Sequence, residues 1–133
     1  MKTTDNKINK LSDKQIFVFG CNGEGWHCNS QHKKALRWGA IYGKSEGLHG
    51  RTYGIPTINA SESLPIDKIK IYVDKFIEFA KSRQDLHFLV TDVSSGVDGV
   101  TPSQIAPLFK DVISLDNVSL LKKFIKVIYA STT

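Results

Sequence analysis

The sequence predicts an α/β domain of three layers: a largely parallel sheet with helices on both faces. Three observations carry this. A short apolar run, Gln15 to Phe19, is followed by a helical stretch, Gln31 to Trp38. A second helical stretch, Pro65 to about Arg83, sets Ile66, Ile69, Val73, Phe76, Ile77 and Ala80 at three- and four-residue steps, which gathers them on one face of a helix. The run "HFLVTDV", His87 to Val93, is then nearly continuous in apolar residues, as strands covered on both faces are. Strands that alternate with helices favour parallel pairing, because the crossover helix returns the chain to the same edge of the sheet.

Residues 1–14, "MKTTDNKINKLSDK", read as a flexible polar tail without the apolar core of a secretion signal. Residues 15–133 read as one domain. In its first helix Ala35, Leu36 and Trp38 are the apolar contacts, Asn29 or Ser30 is the cap, and Gly39 is the stop. Glycines at 43, 47, 50 and 54 then predict turns, with a strand from Arg51 to Ile55 stopped by Pro56. Asn59 to Leu64 reads as a polar loop, and Pro65 suits the first turn of the long helix, where a missing amide hydrogen has no partner to lose. After "SSGVDGV", Thr101 reads as a cap with Gln104 at the reciprocal position, opening a short helix from Pro102 to Phe109. The run "NVSLLKKFIKVIYA" fits either a strand plus a short helix or one terminal helix.

The 133 residues suffice for a real core, with 41% hydrophobic and 23% charged residues. No window approaches the ~18 apolar residues of a membrane span, so the expectation is a cytoplasmic protein without a membrane partner. The net charge of +5 is scattered rather than gathered in a stripe, which argues against a nucleic-acid partner. Cys21, Cys28, His27 and His32 number four possible zinc ligands, but their spacing matches no familiar finger, and no metal or cofactor is expected.

The candidate site lies in two small-residue loops, Gly20 to Ser30 and Ser94 to Gly99, each directly after an apolar strand. In open parallel sheets ligands collect beyond the carboxyl ends of the strands. Backbone amides exposed by glycine, beside a helix N-terminus, form an uncharged cradle for phosphate oxygens; the plain alternative is that the glycines only make tight turns. Asn22 can hydrogen-bond a ribose hydroxyl or make an Asx turn. His27 can act as a base or phosphate donor, or simply be a bonded loop residue. Asp92 and Asp98 can orient a water or serve as caps, Arg51 can meet a phosphate or pair structurally, and Trp26 can stack on a base or cover its loop.

The blocks "FVFGCNGEGWH", "ALRWGAIYGKSEGLHGRTYGIPT" and "FLVTDVSSGVDGVTPSQIAPLF" resemble a family of small phage and bacterial proteins. That family's pattern runs FGSN-x-x-G-x-HG-x-GAA, then GA-x-x-G-x-x-x-GL-x-G-x-(S/T)-Y-(A/G)-IPT, then F-x-VT-x-IGCG-x-AG and IAPLF. The block order also resembles a compact macrodomain, the α/β fold that binds ADP-ribose. The resemblance implies nucleotide contacts from Gly20, Asn22, Gly25 and His27 in the first loop, near ribose and phosphates. It implies diphosphate contacts from Ser94, Ser95, Gly96 and Gly99 in the second. Two departures stand out. His27 is followed by Cys28, Asn29, Ser30 and Gln31 where the family has glycines and alanines, and Ser94-Ser95-Gly96 replaces the family's GCG.

Two functions follow. The first is a nucleotide-binding module for ADP-ribose or a related adenine diphosphate, sequestering or hydrolysing it, with the phage origin that the resemblance implies; whether it is an enzyme stays open, since no nucleophile and base pair stands out. The alternative is a structural or protein-interaction module whose pocket has decayed. The sequence leaves the oligomeric state open.

Overall fold

The computed structural model describes residues 2–5, 7–22, 30–41, 46–59, 62–94 and 100–131. The sheet is mixed and six-stranded. Its strands are β1 (Gln15–Asn22), β2 (Gly47–His49), β3 (Thr52–Asn59), β4 (Glu62–Ser63), β5 (His87–Val90) and β6 (Val118–Ser119). They lie in the order β2-β3-β1-β5-β6, with β4 also pairing β3. β3, β1, β5 and β6 run parallel, while β2 and β4 pair antiparallel to β3. The parallel prediction therefore holds for the four strands that the helices connect, and the hairpin partners of β3 make the sheet mixed.

The helices are α1 (Ser30–Arg37), α2 (Ile66–Ser82), α3 (Pro102–Ile105) and α4 (Lys122–Ser131), with a 3-10 stretch, Ala106–Ser114, continuing α3. α2 buries Ile69, Val73, Phe76, Ile77 and Ala80, five of the six residues on the predicted stripe. Its last turn is held by Asn117, whose Nδ2 donates to the carbonyls of Ala80 at 2.9 Å and Arg83 at 3.1 Å. This satisfies carbonyls that a helix end otherwise leaves without partners. Gly39 follows α1 with φ of 110°, the left-handed conformation that ends helices and suits glycine.

Alternation along β1 sorts its side chains into two clusters. Ile16 and Val18 join α2, the 3-10 stretch and α4, whereas Phe17, Phe19 and Cys21 join Ala35 of α1 and Ile8 of the N-terminal segment. Period-two geometry makes this unavoidable once both faces are covered.

Several expectations are corrected. β1 runs on to Asn22 and β3 passes through Pro56 to Asn59. Pro56 is tolerated because the outer side of β3 carries no ladder there, between the pairings with β2 and with β4. The polar stretch 59–64 contains β4, and the ambiguous C-terminal run divides into β6 and α4. Residues expected as a loose tail make defined contacts. Thr3 bridges Leu120, the Thr4 amide donates to the Leu120 carbonyl at 2.8 Å, and Ile8 is buried.

Candidate functional site

The site is set by connectivity. β1 lies between β3 and β5, and its chain leaves for α1, on the face of Phe17 and Phe19. The chain after β5 leaves for α3 and the 3-10 stretch, whose Ile105, Ala106 and Phe109 belong to the opposite face. Neighbouring parallel strands whose exits diverge to opposite faces leave a crevice at their carboxyl ends, the switch point where open α/β sheets bind ligands. β1 and β5 form such a pair, in register from Gln15–His87 to Val18–Val90.

Beyond that ladder the two strand ends stay in contact. The Thr91 amide and hydroxyl both donate to the Val18 carbonyl, at 3.1 and 2.7 Å. A Cβ placed on Gly20 would lie 2.6 Å from the Val93 carbonyl oxygen, closer than any real side chain approaches backbone. Glycine is what lets the base of the first loop meet the segment leading into the second.

Three sequence candidates fall on this edge. Gly20 and Asn22 are residues of β1 itself, not of the loop after it, and pair with Ile55 and Ile58 of β3. Ser94 is buried, and its amide and hydroxyl both donate to Asp92 Oδ1. Gly25, His27, Ser95, Gly96 and Gly99 lie outside the described residues, as do Trp26, Cys28 and Asp98. Bringing the stems of both loops to one edge is thus a property of the fold; the arrangement of the loops beyond them belongs to residues not described.

Other candidates find structural employment. Asp92 Oδ2 accepts from Lys123 Nζ at 2.6 Å, so both carboxylate oxygens are engaged and a water-orienting role is disfavoured. Arg51 precedes β3 and therefore sits at the amino-terminal edge of the parallel strands, away from the loop stems. Its guanidinium donates to the Ser12 carbonyl. Cys21 is fully buried within the Phe17–Phe19 cluster. Among the described residues no three His, Cys, Asp or Glu side chains gather to hold a metal. The Tyr53 hydroxyl is pushed up to about 12, first by burial and then by Glu46 and Cys21, and is no base at neutral pH.

One feature of this edge escaped the sequence. The β1–β3 register shifts between Cys21 and Asn22, which pair with Pro56 and Ile58, leaving Thr57 as an extra residue. Thr57 is buried and its hydroxyl has no hydrogen-bond partner among the described residues. Bulges recur beside binding sites, where they re-aim side chains. Threonine after proline carries no signal of a bulge, which arises only from pairing.

No helix among the described residues is long and apolar enough to cross a membrane. Comparison with protein-family models, with curated proteins and with solved structures finds no match to this chain.

Proposed function

We propose that the chain is a nucleotide-binding module of compact macrodomain-like, three-layer architecture. Its ligand is ADP-ribose or a related adenine-containing diphosphate, held at the carboxyl ends of β1 and β5. The observation that supports this reading best is the junction of the two loop stems, where Gly20 lies against the Val93 carbonyl at the point at which the chain exits to opposite faces. The resemblance in motif order adds the ligand class. Binding and sequestration are favoured over hydrolysis, because Asp92 is engaged by Ser94 and Lys123 and the Ser94 hydroxyl beside it is buried.

Thermal or denaturant unfolding with ADP-ribose, NAD and adenine nucleotides tests the proposal. A ligand present at a hundredfold over its dissociation constant adds about 2.7 kcal/mol of stability. A folded sample whose unfolding none of them moves returns the protein to the interaction-module reading. The exposed Tyr129, in an open groove with Ile113 and Ile128 between the 3-10 stretch and α4, is then the first surface to probe.

A further inference from the structure

A second site lies at the opposite edge of the sheet. β5 and β6 turn Phe88, Val90 and Val118 toward α2 and its neighbours. On the other face they carry His87, Leu89 and Ser119, with Gln15 of β1 paired beside His87. Residues 2–4 run alongside as a further edge, since Leu120 exchanges hydrogen bonds with Lys2 and Thr4. These elements enclose an open cleft of about 590 Å³ lined by Lys2, Thr3, Gln15, His87, Leu89 and Ser119. It continues into a groove of about 480 Å³ that shares Thr3, Gln15 and Leu89 and adds Asp5, Lys7 and Lys10.

The floor of the cleft is rich in donors. His87 Nε2 lies 2.6 Å from Ser119 Oγ, and Ser119 is only 2% exposed. A neutral imidazole and a hydroxyl carry two polar hydrogens between them, and their mutual bond uses one. In one tautomer the serine hydrogen is left over, in the other the Nδ1 hydrogen. Neither finds an acceptor among the described residues. Gln15 Oε1 accepts from the Ser12 amide at 2.9 Å, which leaves its NH2 group to point elsewhere. Among the described residues, Lys2, Lys7 and Lys10 form no ion pair and Asp5 is the one carboxylate lining either space. Burial, then the charge on Lys2, pushes the His87 pKa down, so a proton there awaits a negative partner.

We propose that this cleft binds a phosphoryl group, that of a small phosphomonoester or free phosphate. Lys2 supplies the charge, Gln15 one directed hydrogen bond and the His87–Ser119 pair a second, with a third once the anion draws a proton onto His87. Such donors beside an ammonium suit a tetrahedral oxyanion, whose oxygens are acceptors only. The cleft and the groove each fall within the size range of small-molecule sites. This site is separate from the β1–β5 crevice and does not depend on it.

The test follows the His87 ring resonances of the full chain, assigned by His87→Gln, during titration with inorganic phosphate, sulfate and a sugar monophosphate. The groups facing His87 are Lys2 from the N-terminal segment, Gln15 from β1 and Ser119 from β6; the carbonyl of Lys14 accepts its backbone amide. Bound anion shifts the ring resonances saturably and raises the His87 titration midpoint, since negative charge favours imidazolium. Sulfate, which does not titrate in this range, separates that effect from protonation of phosphate itself. Lys2→Ala, at an exposed position that leaves the fold intact, weakens binding about tenfold, whereas Lys70→Ala, on the exposed side of α2, leaves it unchanged. Tighter binding of the sugar monophosphate identifies a phosphomonoester site, and equal binding identifies a site for free phosphate. His87 resonances indifferent to all three anions, or binding unaltered by Lys2→Ala, overturn the proposal.

Discussion

The two faces of the sheet are built to different rules. Toward α2, the central strands present Ile16, Val18, Phe88, Val90 and Val118, and α2, the 3-10 stretch and α4 close over them in one large apolar cluster. Toward α1, the same strands present Phe17 and Phe19 but also Gln15, His87 and Ser119, and the cover is one short helix and an irregular N-terminal segment. One face holds the continuous apolar contact from which a domain draws most of its stability. The other is freed by that division to keep polar groups where solvent or a ligand reaches them. A fold that secures one face completely can leave the second for chemistry.

The largest effect comes from breaking the closed face. Phe76 is fully buried, with ring contacts to Tyr53 at 5.2 Å, Phe88 at 5.5 Å and Phe109 at 6.2 Å. Phe76→Ala costs about 3–5 kcal/mol by transfer and cavity terms together, read from the shift of a denaturant midpoint. Leu89→Ala, half-buried beside the cleft, costs less; equal losses would erase the proposed difference between the faces. Gly20→Ala comes next, at about 1–3 kcal/mol, because the added methyl meets backbone that cannot step aside. The same variant removes any stabilisation by ADP-ribose if the β1–β5 crevice is the site.

The smallest effect is a pH dependence confined to the open face. His87 has its pKa lowered from 6.5 in the folded chain, so below that value the unfolded chain binds more protons than the folded one. Stability therefore falls as pH drops through and below 6.5, and is fully restored above it. His87→Gln flattens that part of the profile, while carboxylate titration at lower pH persists. A profile unchanged by the substitution shows that His87 is as well solvated folded as unfolded.

What was legible in the sequence follows the range of the forces involved. α2 was written in the three-and-four spacing of Ile69, Val73, Phe76 and Ala80, and β5 in an apolar run, because one helix face or one strand carries its own pattern. β4 has two residues and exists only because β3 offers an edge. The passage of β3 through Pro56 depends on the gap between its two hairpin partners. The pairing of the two loop stems was inferable from strand–loop order, and the β1–β5 register supports it. The His87–Ser119 pair joins residues 32 positions apart across a parallel register, which no local pattern announces. The N-terminal segment misled for a related reason: its polar composition signals solvent, while its backbone amides and carbonyls, which composition does not record, find Leu120.

That last contact has a consequence for how the molecule is made. Lys2 to Thr4 find their partner at Leu120, far along the chain, so while a ribosome is still extending α2 they have nothing to pair with. Contacts so remote in sequence form late, since the intervening chain must first be ordered. The nascent sheet therefore passes through a stage in which its central strands are assembled while one margin stands open. That margin closes only after Leu120 has been made.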